Sequence, residues 1–175
     1  MGAGEISLLE RREIEAAILK EVHAVLEEEL GEARARELLT RSVKRSAAAF
    51  GARKRAEEAG PASLKSLAAL LPIWEKGGAL QIEVRALDET RYDYDVTSCA
   101  YARMYAEMGL KSLGGILSCA RDGAFIEGYA PDLVLERPKT IMEGDSVCQF
   151  RYRRKSAGPE SKAGVAGVAD KADKA

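Results

Sequence analysis

Residues 97–150 read TSCAYARMYAEMGLKSLGGILSCARDGAFIEGYAPDLVLERPKTIMEGDSVCQF, and the rest of the chain is organised around them. All three cysteines lie here: Cys99, Cys119 and Cys148. Thr97 and Ser98 suit the start of a helix running from about Cys99 to Met108, which Gly109 closes. A second helix is expected from Ser112 to about Ile126. It carries Leu113, Ile116, Leu117, Ala120 and Ala124 on one face, and Gly128 and Pro131 end it. Met142-Glu143-Gly144-Asp145 reads as a tight turn. Strands are expected at Leu133–Arg137 and Val147–Arg153, the latter from the alternation of Cys148, Phe150 and Tyr152 with Val147, Gln149, Arg151 and Arg153.

Working outward, Ala79 to Leu87 alternates, with Leu80, Ile82, Val84 and Ala86 on one side. Arg91 to Thr97 alternates with Tyr92, Tyr94 and Val96. With the turn Asp88-Glu89-Thr90 between them, the two predict a β-hairpin. Upstream, residues 5 to about 30 predict a helix with Ile14, Ile18, Val22 and Val25 on one face. A second helix runs from Glu32 to about Glu58, and a third from Ser63 to Lys76, kinked at Pro72. The fold class is therefore α+β: N-terminal helices packed with a small, mainly antiparallel four-stranded sheet and two site helices. The division is a helical region over 1–78, an α+β core over 79–154 belonging to the same domain, and a disordered tail over 155–175, which lacks aromatics and periodicity.

Composition narrows the function. The 175 residues carry 27 Lys plus Arg and 28 Asp plus Glu, a net charge of −1. No positive field favours nucleic acid or an anionic membrane as partner. The N-terminus has no long apolar run and no secretion signal, so a cytoplasmic protein is expected, with reduced thiols rather than a disulfide frame. His23 is the single histidine. It sits beside the apolar face of the first helix, where a structural role outweighs a general-base role. Without it, catalysis falls to thiols, carboxylates or tyrosines.

Cys99 occupies a helix start, where backbone N–H groups and the helix dipole favour a thiolate; a small buried hydrophobe is the plainer reading. Cys119 and Asp122, three apart, share a helix face and read as nucleophile and proton acceptor. Glu127 falls on the apolar side of that helix. A structural ion pair with Arg103, Arg121 or Arg137 is one reading, and an anchor for a guanidinium- or amidinium-bearing substrate is the other. The cysteine spacings match no standard zinc pattern, so no metal is assigned.

As an ordered set, these residues resemble the L-2-amino-thiazoline-4-carboxylic acid hydrolase family. The matching positions are Val96-Thr97, Cys99, Tyr101-Ala102, Gly109, Leu117-Ser118-Cys119-Ala120, Asp122, Glu127-Gly128-Tyr129, Pro131, Arg137, Thr140-Ile141-Met142, Gly144, Cys148, Phe150 and Tyr152. Gln149 stands where an acidic residue is expected, and Lys139 where a polar neutral one is more usual.

The resemblance implies a cytoplasmic hydrolase without organic cofactor. It would open a cyclic isothiourea to an N-carbamoyl thiol. Cys99 or Cys119 would be the nucleophile, Asp122 the proton carrier and Glu127 the amidinium anchor. Tyr101, Arg137, Thr140, Met142 and Cys148 would bind substrate. The rival is a non-catalytic small-molecule or metal-binding domain with sensing cysteines. The N-terminal helices are the surface on which the chain would form a homo-oligomer.

Overall fold

The computed structural model describes residues 6–155; the tail expected over 155–175 lies, beyond its first residue, outside them. Helix α1 spans Leu8–Leu30. Ser7 caps it by accepting from the Glu10 backbone, while the Glu10 carboxylate accepts the Ser7 N–H in return. After Gly31, α2 runs over Glu32–Ala56. The third predicted helix is divided. Helix α3 covers Leu64–Ala69 behind a Ser63 cap, and Pro72 opens a separate short helix α4, Pro72–Glu75. Proline cannot donate a backbone hydrogen bond inside a helix, but it fits the first turn, where no partner is needed.

Strands β1 (Leu80–Leu87), β2 (Arg91–Cys99), β3 (Leu133–Glu136) and β4 (Cys148–Arg154) form one sheet in the order β1-β2-β4-β3. All three pairings are antiparallel. The expected α+β architecture is the observed one, with the N-terminal helices packed against the sheet. Register shifts between Gln81 and Ile82 and between Val84 and Ala86 break the single face predicted for β1, leaving Val84 exposed. On the inner face of β2 and β4, Tyr92, Tyr94, Phe150 and Tyr152 stack, with Tyr94 and Phe150 4.6 Å apart. On the outer face, Arg153 pairs with Asp93, and Arg151 with Asp95 at 2.7 Å. Gln149 lies opposite Asp95, with the opposite alternation to the inward Cys148 and Phe150. It therefore belongs to the outer face.

Helix α5 spans Ala100–Glu107. The predicted second site helix is longer than expected. It begins as α6 (Lys111–Gly114), passes through a π-helical turn at Gly115–Cys119, and continues as α7 (Ala120–Tyr129). Gly128 does not end this helix. It lies inside α7, where the absence of a side chain lets α2 approach. A Cβ on Gly128 would stand 2.0 Å from the Ala48 carbonyl oxygen, and one on Gly51 would stand 2.2 Å from that of Phe125.

The expected apolar face of α1 requires correction. Ile14, Ile18, Val22 and Val25 are 61%, 66%, 43% and 57% exposed, whereas Leu8, Ala16 and His23 are buried. Among the described residues no helix is long and apolar enough to cross a membrane.

Candidate functional site

The three thiols, far apart in sequence, line one cavity of about 60 Å³. Strand register brings in Cys148 opposite Val96, and Cys99 at the end of β2. The π turn brings in Cys119 at its last residue. One extra residue in a helical turn rotates every later position around the axis, and such turns recur at functional sites. Arg12, Tyr101, Arg121, Asp122, Arg137 and Met142 complete the polar and flexible part of the wall. Trp74, Leu80, Asp122 and Phe150 also line a neighbouring cavity of about 50 Å³. That one is largely aromatic, with Tyr92, Tyr94, Phe125 and Tyr152 in its wall.

Arg137 is the hub. Its guanidinium lies over the Phe150 ring, 4.4 Å from the centroid. Nη1 donates to Asp122 Oδ2 at 2.7 Å and to the Cys119 carbonyl at 3.3 Å, and Nη2 reaches Cys119 Sγ at 3.8 Å. Nε is buried with no protein acceptor among the described residues. Burial alone would lower the Arg137 pKa, but the Asp122 carboxylate and the Cys119 sulfur outweigh it and raise it. Asp122 keeps a quarter of its side chain accessible and lines both cavities. Burial pushes its pKa up, against the opposing pull of Arg137, Arg12 and Arg121.

The thiols are not the ready thiolates that a helix start suggests. Cys99 is the N-cap of α5, and its Sγ accepts the Ala102 N–H at 3.4 Å, but burial raises its pKa above the usual thiol value. Burial also pushes Cys119 up to about 11, although Arg137 opposes this. The Cys148 sulfur accepts the Ile141 N–H at 3.2 Å. All three are free. Because Cys119 ionises late, its alkylation by iodoacetamide, read by peptide mass spectrometry, should rise about tenfold per pH unit from pH 7 to 10. A plateau below pH 8 would contradict this environment.

The other expected positions divide. Tyr101 is buried in the cavity wall, its hydroxyl 3.4 Å from the Trp74 carbonyl. Thr140 sits behind the wall. Its hydroxyl caps the 3₁₀ turn Ile141–Glu143, which carries Met142 into the cavity. Glu127 is not brought to the site. It is exposed and faces a separate groove with Arg41, Lys44 and Arg45 of α2, because the π turn and the packing of α7 on α2 turn that position outward. His23 is buried away from the cavity, with Nδ1 3.5 Å from Glu27 and Nε2 without a partner among the described residues. Glu127→Gln and His23→Gln should each leave turnover within about twofold, since neither touches the wall; a tenfold loss in either would place it in the chemistry.

Two further residues join the wall: Arg12, which has no signal in the sequence, and Arg121, expected as a partner of Glu127 and found on Glu15 instead. Arg12 and Arg121 converge on Glu15 Oε2 at 2.6 and 3.1 Å. Their side chains are only 11% and 10% exposed. Arg12 comes from α1, over 100 positions upstream of Arg121, so no local spacing could have joined them. Among the described residues, no group of three or more His, Cys, Asp or Glu side chains is arranged to hold a metal.

Fold and cavity together define an α+β domain with a thiol-lined chamber. The chain belongs to the L-2-amino-thiazoline-4-carboxylic acid hydrolase family, whose model matches residues 11–152. No curated protein matches it. Two solved structures share the fold. One is the phenol-responsive sensory domain of the transcription activator PoxR with phenol, at TM-score 0.51 and 13% identity over 82% of this chain and 74% of that one. The other is a trafficking protein particle complex subunit 3 from Naegleria fowleri covalently bound to palmitic acid, at TM-score 0.51 and 10% identity over 83% of this chain and 95% of that one.

Proposed function

We propose that the chamber hydrolyses a small cyclic isothiourea bearing a carboxylate, of the kind the family name describes, with Cys119 as nucleophile. The observation that carries this reading is the Arg137 guanidinium, which joins the Cys119 thiol to the Asp122 carboxylate at the cavity wall. Asp122, with its raised pKa, takes the Cys119 proton as sulfur attacks the ring carbon between nitrogen and sulfur. The ring C–S bond breaks and the ring sulfur leaves as a thiol. The carbon remains bonded to Cys119 as an open isothiourea. Water then adds to that carbon, Cys119 departs and recovers its proton, and the product is an N-carbamoyl thiol. Asp122 also holds the amidinium nitrogens, the role first expected of Glu127.

The wall carries three guanidiniums, Arg12, Arg121 and Arg137, against the carboxylates of Glu15 and Asp122. The surplus positive charge suits a monoanion. Arg12 and Arg121 receive the substrate carboxylate, and the buried Arg137 Nε is a donor free for a ligand acceptor. Arg12→Gln should therefore raise KM about tenfold or more with a smaller change in kcat. A fall in kcat alone would move Arg12 from binding to chemistry. A cytoplasmic setting keeps the thiols reduced.

The test is incubation with L-2-amino-thiazoline-4-carboxylate and detection of N-carbamoyl-cysteine by mass spectrometry. Product that forms in the wild type and not in Cys119→Ser supports the hydrolase. A second reading, a ligand-binding domain without turnover, draws on the aromatic neighbouring cavity and on the phenol-responsive relative in fold. Saturable phenol binding with no product would favour it.

A further inference from the structure

Helix α1 presents two apolar faces. Leu8, Ala16 and His23 are buried, and Arg12 on the same side lines the chamber. At about 100° per residue, Ile14, Ile18, Val22 and Val25 lie roughly a third of a turn around the helix, exposed. Four β-branched apolar side chains in a continuous line on a solvent face are left uncovered by the described residues.

The ends of the line carry opposite charges. Arg11 and Glu29 are 18 residues apart, about five turns, and so stand on the same face at either end of the stripe. Both are exposed. The geometry points to a second copy of this chain as the occupant, with two α1 helices packed antiparallel about a two-fold axis near Lys20. In that register Ile18 of each copy meets Val22 of the other, and Ile14 meets Val25. Arg11 of each meets Glu29 of the other, so both ends are paired. A parallel arrangement would set Arg11 against Arg11 and Glu29 against Glu29, which repel.

Glu10, Glu21 and Glu28 border the stripe and oppose an anionic lipid surface. A 23-residue helix is about 34 Å long, which matches the breadth of an ordinary interface of ~800 Å² per partner. Because the stripe is turned away from Arg12, pairing leaves the chamber wall in place. This dimer is independent of the proposed hydrolysis.

Sedimentation velocity on the full chain reads it directly. The wild type should sediment at twice 18.9 kDa across micromolar concentrations. Ile18→Glu, at an exposed position, should keep the wild-type circular dichroism and weaken the dimer by at least about 100-fold. Arg11→Glu and Glu29→Arg should each weaken it by bringing like charges together, and the double variant should restore it. A monomeric wild type, a dimer indifferent to Ile18→Glu, or a double variant no better than the singles would overturn the proposal.

Discussion

Cys119→Ser is expected to lower turnover of L-2-amino-thiazoline-4-carboxylate by about 10⁴-fold, as loss of a covalent nucleophile does elsewhere. The hydroxyl keeps the shape of the thiol, so melting should change little. A serine placed beside Asp122 and Arg137 holds its proton far more tightly and attacks poorly. Cys99→Ser should behave differently. Cys99 is the cap of α5, its sulfur engaged by the Ala102 N–H, and serine is a better cap than cysteine. That variant should retain activity within about tenfold and be at least as stable. Steady-state rates and thermal melts on both variants separate the roles. Equal losses in the two would show that the cavity needs its sulfur atoms for packing and not Cys119 for attack.

Gly128→Ala carries the largest expected effect on stability, a loss of about 3 kcal/mol or more. The added methyl would point at the Ala48 backbone of α2, and a carbonyl 2.0 Å away cannot rotate aside as a side chain can. The two helices would have to separate, which opens the seam that also holds Gly51 against Phe125. Chemical denaturation reads the loss. Gly123→Ala is the control, because a Cβ there meets nothing within 4 Å and alanine is the better helix former. Equal stability of the two variants would contradict the close packing of α2 on α7.

Much of the fold is legible in the sequence. The period-two alternation of Tyr92, Tyr94 and Val96, and of Cys148, Phe150 and Tyr152, fixes two strands and their inward faces. Ser63 marks a helix start by chemistry that acts within one turn, whereas Pro72, read as a kink, opens a separate helix. What a period cannot say is which of two apolar faces is covered. On α1 the β-branched stripe from Ile14 to Val25 is the exposed one, and the packed face is Leu8, Ala16 and His23, with Leu9 and Leu19 beside them and Ala16 at the closest approach. Small residues allow close approach, and hydrophobicity alone undervalues them.

Glu127 shows the same limit. An unbroken helix would carry it to the apolar side, but the π turn at Gly115–Cys119 rotates the helix beyond it. Gly128 has the chemistry of a helix end, although its function is contact with α2. In the site, Cys119, Asp122 and Arg137 are legible because two lie a turn apart and the third belongs to the family pattern. Arg12 and the meeting of Arg121 with Glu15 are not, since only the tertiary fold brings α1 to the chamber.

The proposed hydrolysis depends on a covalent bond between Cys119 and the substrate carbon. Rapid acid quench during the first turnover, followed by intact-mass and peptide mass spectrometry, tests it most directly. A protein heavier by the whole substrate mass is expected, with the addition on the peptide holding Cys119 and its disappearance as N-carbamoyl thiol accumulates. Product formation with no adduct at any quench time, at a rate unchanged in Cys119→Ser, would contradict it.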